Sequence, residues 1–259
     1  MKKSNLVKAF AVMAITTAGA FFAGCANPAG AGGSSYSAKY AVGDIILNDG
    51  SKVNYETAKN YTGSDLDGLK SKAIAVIFKV DGGKTLGVGL KHNRSGLRWC
   101  TNDANAYNKN IKTIQCPASG DAGNLTFTGD TDGSDNLEQI ASFLTTAGLE
   151  NDTTDASKYP AFYFAKNYKT TATNLGAAYE NGWYLPTVAE LFDIWKVKAT
   201  VDAASSFCGG SKFDNSDYWS SSQYASYESR AYELNFDDGD WFCSKSYMDK
   251  YVCAVRAFN

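Results

Sequence analysis

Histidine is almost missing. The 259 residues contain one, His92, which excludes a multi-histidine zinc site and leaves a serine triad a single possible base. His92 stands in the turn-like run Lys91-His92-Asn93-Arg94-Ser95-Gly96 and is expected on an exposed loop. A strong charge of one sign is also missing. Lys and Arg number 25 against 27 Asp and Glu, a formal charge of −2, so nothing favours nucleic acid as a partner. No Gly-rich phosphate loop precedes a helix, and no fixed period repeats. Proline is scarce at four residues, the last being Pro186. Beyond residue 23 no apolar run reaches the length of about 20 residues that a membrane span needs.

What is present begins at the N-terminus. Lys2, Lys3 and Lys8 flank an apolar run over 9–23 that ends Phe22-Ala23-Gly24-Cys25. A short apolar run closed by small residues reads as a secretory signal. The cysteine directly after Ala-Gly resembles the lipobox of bacterial lipoproteins, with Phe22 where Leu is usual. That resemblance implies a signal peptide over 1–24 and diacylation of Cys25, with residues 25–39 as lipidated cysteine and flexible tether. The other reading is a plain secretory signal with an incidental cysteine. The lipoprotein reading places the chain on the bacterial envelope, at the outer membrane and surface-exposed.

Five further cysteines follow: Cys100, Cys116, Cys208, Cys243 and Cys253. An odd count leaves one over if the rest pair, and an exported protein can hold disulfides. The expected pairs are Cys100 with Cys116 and Cys208 with Cys253, leaving Cys243. The alternative is that all five stay reduced as small buried hydrophobes.

Residues 40–56 read as a hairpin around Asn48-Asp49-Gly50. Residues 72–80 (KAIAVIFKV) read as a buried strand that returns over 86–90. Residues 92–135 are polar and loop-like. Leu137, Ile140, Ala141 and Leu144 share a helical face within 136–149. Short elements are expected at 159–164 and 175–179. The sharpest local signal is NGWYLPTVAELFDIW, 181–195, where Thr187 and Glu190 form a capping box ahead of Leu191, Ile194 and Trp195. Near the end, 231–236 and 252–258 read as strands joined by the turn Asp237-Asp238-Gly239-Asp240. The pattern is α+β, with few helices and a sheet of hairpins. The stretch after that turn carries Trp241, Phe242, Cys243, Tyr247 and Met248, which is unusual for a solvated connection.

Gly182-Trp183-Tyr184-Leu185-Pro186-Thr187 with Glu190-Leu191, then Tyr218-Trp219-Ser220-Ser221-Ser222, Phe236, Gly239 and Val255-Arg256, resemble the bacterial C-type-lectin-fold domains related to formylglycine-generating enzymes. The spacing is similar to that of the variable proteins of diversity-generating retroelements, including their surface-lipoprotein members. The resemblance is strong over 160–258, loose over 40–100, and absent over 100–158. It implies a C-type-lectin-like fold with antiparallel sheets, two main helices and long loops. The domain would cover 40–259, with an insertion near 100–158 and a variable region near 219–258.

In that family, adenines of template codons are mutated. An Asn codon so treated reaches any residue except Gln, Glu, Lys, Met and Trp. The resemblance therefore implies a diversified ligand-binding set of Tyr224, Ser226, Tyr227, Ser229, Arg230, Tyr232, Asp237, Asp238, Asp240, Phe242, Cys243, Ser244, Ser246, Tyr247 and Asp249. Ala225 is equally reachable. Trp219, Leu234, Phe236, Trp241, Val252 and Val255 would form the fixed frame. The mixture of Tyr, Ser, Asp and Arg suits a paratope, because rigid aromatics give area at low entropy cost and small polar residues adapt.

Catalytic signals are absent from the sequence. The cysteine spacings do not resemble the close reactive pair of the formylglycine-generating enzymes. No Glu-Pro-Asn or Gln-Pro-Asp calcium motif of sugar-binding lectins occurs. Asp130-Thr131-Asp132-Gly133-Ser134-Asp135 departs from the EF-hand spacing, which needs Gly where Asp135 stands, and reads as a polar turn. The expectation is a monomeric binding protein, not an enzyme, with no cofactor and no metal. Its ligand would be a protein or other surface macromolecule, and it would meet the membrane through the lipid. The competing readings are a lipoprotein enzyme of the formylglycine-generating type and an inert envelope protein. Binding predicts Tyr224, Tyr227, Phe242 and Tyr247 exposed together on one face, whereas inertness predicts them buried.

Overall fold

The computed structural model describes residues 39–258. The signal peptide, Cys25 and nearly all of the tether lie outside them. In chain order the elements are β1 (Asp44–Leu47), β2 (Lys52–Asn54), α1 (Tyr55–Ala58), α2 (Gly63–Lys72), β3 (Ala73–Asp81), β4 (Lys84–Gly89) and β5 (Asn93–Arg98). Then follow β6 (Ala118–Asp121), β7 (Asn124–Phe127), α3 (Asn136–Thr146), α4 (Pro160–Lys166), β8 (Trp183–Tyr184), α5 (Val188–Lys196) and α6 (Lys198–Phe207). The C-terminal part is β9 (Asp217–Gln223), β10 (Arg230–Asn235), β11 (Trp241–Lys245), β12 (Asp249–Val252) and β13 (Val255–Ala257).

Helices and largely antiparallel sheets make the fold α+β and C-type-lectin-like. One sheet has the order β2-β1-β3-β4-β13-β8 and a second the order β11-β10-β9-β12-β5, while β6 and β7 pair alone. The run expected as one strand over 252–258 is two strands in different sheets. β12 lies between β9 and β5, and β13 lies between β4 and β8. Cys253 and Ala254 make the crossing, fully buried, and the Ala254 carbonyl accepts from Gly89 N at 2.9 Å.

Apolar burial falls on both sides of these sheets. Val76, Phe78 and Val88 pack with Leu191 and Ile194 of α5 and Val201 and Ala204 of α6. Ile74 and Ile77 pack in a second cluster with Trp99, Ile140, Tyr159, Phe162, Trp183 and Trp219. Each such side chain contributes about 1.5–3 kcal/mol when taken out of water. The strand β3 is apolar without alternation because both its faces are covered.

Several expectations change. Helices number six among the described residues, not two main ones. The helix α2 buries only Leu69 and has no apolar stripe for a sequence reading to find. The polar stretch 92–135 holds β5 and the β6–β7 hairpin. At 175–179 there is only a single 3-10 turn, Ala177–Tyr179. His92 is half-buried, its ring 4.4 Å from that of Phe213 and 5.8 Å from that of Tyr218. Burial, followed by the charge of Arg94, pushes its pKa down to about 3, so the imidazole is neutral.

The expected disulfides are not formed: Cys100, Cys116, Cys208 and Cys253 are buried free thiols. Cys100 belongs to one apolar cluster and Cys116 to the other. Cys208 ends α6, and Cys253 sits between the sheets. They pack as small hydrophobes. Burial pushes the Cys100, Cys116 and Cys208 thiols up to about 12 and the Cys253 thiol higher still.

Candidate ligand-binding surface

The C-terminal hairpin rests on α5 and on the strand β9. The Thr187 hydroxyl accepts from Glu190 N at 3.2 Å, and Glu190 Oε2 accepts from Thr187 N at 2.9 Å, so the capping box is complete. Glu190 also accepts from Tyr184 OH at 2.8 Å and Gly133 N at 3.2 Å. Its burial raises its pKa. Capping sets the start of α5, and at the far end Trp195 stacks on Phe192 with centroids 5.5 Å apart. Gly239, in the turn between β10 and β11, lies flat on the Trp195 ring. Its φ is +71°, and a Cβ there would stand 2.4 Å from the indole. Only glycine fits, on both counts.

The serine run of β9 fixes the other side. The β9–β10 register shifts between Ala231 and Glu233, opposite this run. Ser221 N donates to Pro186 O at 2.7 Å, and Ser221 Oγ accepts from Asn136 Nδ2 at 2.8 Å. Ser222 Oγ accepts from Val188 N at 3.2 Å, and Ser220 Oγ donates to Tyr232 O at 2.8 Å. The fully buried Ser221 and Ser222 thus bolt the sheet to the starts of α3 and α5, and Ser220 ties β9 to β10. The Gln223 side chain, 1% exposed, accepts from Ile111 N at 2.7 Å and donates to Lys109 O at 2.5 Å and Glu228 O at 3.1 Å. It clamps the 105–111 loop to the 224–229 loop.

The β10–β11 register is Arg230 to Lys245, Ala231 to Ser244, Tyr232 to Cys243, Glu233 to Phe242 and Leu234 to Trp241. Side chains alternate between faces, so the expected binding residues divide. On one face Tyr224 packs on Tyr227, Tyr232 and Trp241 with centroids 6.0, 5.1 and 5.9 Å apart. Arg230 lies over Tyr227 at 5.5 Å, and its Nη1 is 3.7 Å from Cys243 Sγ. On the opposite face are Phe242 and Ser244, with Ser244 Oγ donating to Glu233 Oε1 at 3.0 Å. Asp237, Asp238 and Asp240 occupy the turn, and each carboxylate accepts a local donor: Asn215 Nδ2, Asp240 N and Trp241 N respectively. Tyr247 and Asp249 stand apart, Tyr247 6.1 Å from Tyr107 and Asp249 3.9 Å from Arg98.

The four aromatics therefore occupy three places. Tyr227 is 62% and Phe242 46% exposed, while Tyr224 and Tyr247 are half-buried. Ser226 is exposed, and Ser229 is half-buried with its carbonyl accepting from Ser246 N. Two members of the expected set are misplaced. Tyr232 is buried because it faces inward between Tyr224 and Trp241, and Ser246 is buried because its backbone is tied to Ser229 and Cys100. Sequence reasoning missed Tyr107 and Gln223. Tyr107 sits in a stretch with no motif, and Gln223 follows three serines at the end of β9, where nothing marks it as a clamp.

Beneath Phe242 lies an ion triad. Lys250 Nζ is 2.8 Å from Asp217 Oδ2 and 2.9 Å from Glu233 Oε2. Burial raises the Glu233 pKa against the opposing charge of Lys250. Among the described residues no group of three or more His, Cys, Asp or Glu is placed to hold a metal. In the 130–135 segment Asp130 accepts from Asp132 N, Asp132 accepts from Ser134 N and pairs with Lys84, and Asp135 accepts from Gln139. Two concavities lie away from the hairpin. One is a cleft of about 290 Å³ by Leu137, Phe162, Lys166 and Trp183, and the other a groove of about 570 Å³ between α3 and residues 110–113.

No curated protein matches the sequence. The structure is similar to that of a fimbrial protein from Bacteroides ovatus ATCC 8483, with a TM-score of 0.55 and 13% identity. The match covers 85% of this chain and 49% of that one, so this chain spans about half its length, and the likeness is one of fold. Residues 89–256, from the end of β4 into β13, match the family model described as the Lcl C-terminal domain. With about two thirds of its length in that match, including the serine bolts, the capped helix and the C-terminal hairpin, the chain belongs to the Lcl C-terminal domain family.

Proposed function

We propose that this protein is a surface-displayed, lipid-anchored binding protein whose segment 224–249 is a diversified contact surface on a fixed scaffold. One observation carries the reading. Of the residue types that adenine mutation of an Asn codon cannot produce, Glu233 and Trp241 within the segment, and Trp219, Gln223 and Lys250 beside it, are buried or half-buried and hold strands together. Glu228, Lys245 and Met248, also within the segment, are exposed and would need other template codons or be fixed. Reachable types populate the outside: Ser226, Tyr227, Asp237, Asp238, Phe242 and Asp249 are exposed, and Arg230 and Cys243 half-exposed. Tyr232 and Ser246 leave the proposed contact set.

The protein acts by binding. An oxidase of the formylglycine-generating type needs two reactive thiols in a cleft, whereas four of these cysteines are buried with raised pKa values. The partner is a protein or other macromolecule large enough to meet Tyr227, Arg230 and the acidic turn together, and no cofactor takes part. Cys25 carries the membrane anchor, outside the described residues. Sequencing the genome around the gene tests the reading. A near-copy of codons 219–258 that differs only at adenines, beside a reverse-transcriptase gene, is the expected result. Its absence would leave an ordinary lectin-fold lipoprotein whose aromatic loop needs a fixed ligand or a core to explain it.

A further inference from the structure

β11 is the outer strand of its sheet, and hydrogen bonds at both ends of the hairpin fix which of its backbone groups face outward. Asn235 N donates to Asp240 O at 2.9 Å, and Ser246 N donates to Ser229 O at 2.9 Å. Bonded and non-bonded pairs alternate in an antiparallel ladder. With the register above, Glu233–Phe242 and Ala231–Ser244 are the bonded pairs. The N–H and C=O of Trp241, Cys243 and Lys245 therefore point away from β10.

Half of these outward groups are already occupied by local donors and acceptors. Asp240 Oδ1 accepts from Trp241 N at 2.8 Å. Arg230 Nη1 reaches across the strand and donates to Cys243 O at 3.0 Å, while its guanidinium lies over Tyr227. Met248 N donates to Lys245 O at 2.9 Å. The Trp241 carbonyl and the Cys243 and Lys245 amides are what a further strand would use, and it would have to displace Arg230 and Asp240. An uncapped edge is a template for strand addition, and a side chain laid across it blocks pairing.

We propose that the outer edge of β11 is a pairing site for a second copy of this chain, held shut by Arg230 and Asp240. The strand fits its own copy in an isologous, antiparallel pair centred on Cys243. In that register Trp241 meets Lys245 of the second copy, a ring against an ammonium, and Phe242 meets Ser244. No like charges fall opposite each other within the strand. Both caps belong to residue types reachable by adenine mutation, so substitutions made for ligand contact also set whether the edge is open. The pairing site itself stands whether or not the surface is diversified.

The test uses the exported chain carrying Cys25→Ser, kept reduced, with mass measured by light scattering across a dilution series. The chain with both caps is expected to be monomeric. Arg230→Ala with Asp240→Ala is expected to double the mass at the concentrated end. Adding Cys243→Pro should restore the monomer. The Cys243 amide points outward, so proline there removes a pairing donor without breaking the β10 ladder. If the double variant gives an altered near-ultraviolet dichroism spectrum, Arg230→Gln with Asp240→Ser supplies the reading, since it weakens both caps and keeps polar side chains. A folded, uncapped chain that stays monomeric overturns the proposal. So does a dimer that survives Cys243→Pro, or a chain with both caps that already pairs through this edge.

Discussion

The β3–β4 hairpin and the β10–β11 hairpin share an antiparallel ladder and little else. The first is sealed on both faces. Val76 and Phe78 enter one apolar cluster, and Ile77 enters the other. The second has β10 buried and β11 largely at the surface. It is held by an ion triad, a clamp glutamine and a glycine pressed on Trp195. Side-chain volume decides the first hairpin, whereas the second adds specific polar contacts to the apolar packing of Tyr232, Leu234 and Phe236. Contacts of the second kind leave neighbouring positions free to change.

That contrast can be broken, starting from the sealed hairpin. Phe78→Ala is expected to cost about 4 kcal/mol, because it leaves a cavity in a close-packed core, read as a lowered urea midpoint. In the second hairpin the largest loss comes from the triad. Lys250→Ala leaves Glu233 and Asp217 facing each other and should cost about 2–3 kcal/mol, with Glu233→Gln in addition recovering part of it. A midpoint unchanged by Lys250→Ala would show that apolar packing alone holds both hairpins. Thr187→Ala removes the cap of the helix beneath the turn and should cost about 1 kcal/mol.

Acid sharpens the comparison further. His92 has a folded pKa of about 3, below the ordinary value near 6.5. Between those limits the unfolded chain binds a proton that the native chain does not, so stability rises with pH across the window and its contribution is complete above about 6.5. The slope from this one group is at most about 1.4 kcal/mol per pH unit. Urea midpoints of wild type and His92→Gln should converge as pH falls from 7 to 5. Smallest of all, Tyr227→Ala and Phe242→Ala should each change stability by no more than about 0.5 kcal/mol, while lowering affinity for any partner of the surface. A large loss from either would make it a core residue in disguise.

Much of the frame was legible beforehand, for local reasons. The box Thr187–Glu190, the turn at Asn48-Asp49-Gly50 and the apolar run of β3 each express themselves within a few residues. Long-range decisions were hidden. The run 252–258 reads as one strand, yet only Val252 belongs to β12 and the chain changes sheet at Cys253-Ala254, because the apolar run from Val252 to Val255 has no break to mark the crossing. Four cysteines looked like two bridges, since spacing says nothing about where each side chain lands: Cys100 and Cys116 enter different clusters, and Cys208 and Cys253 share one as free thiols. The division of Tyr227 and Phe242 between faces follows from the β11 register, which turn length sets and aromatic content does not. α2 and Tyr107 left no periodic trace at all.

The crossing at Cys253-Ala254 has a consequence for how the molecule comes into being. Neither sheet is complete without residues 249–257: β12 fills the gap between β9 and β5, and β13 the gap between β4 and β8. A ribosome-bound chain that lacks them has two interrupted sheets and pairings of long sequence separation still to make, the slowest kind to form. A chain without 249–257 closes neither sheet: β9 and β5 lose the strand between them, and so do β4 and β8.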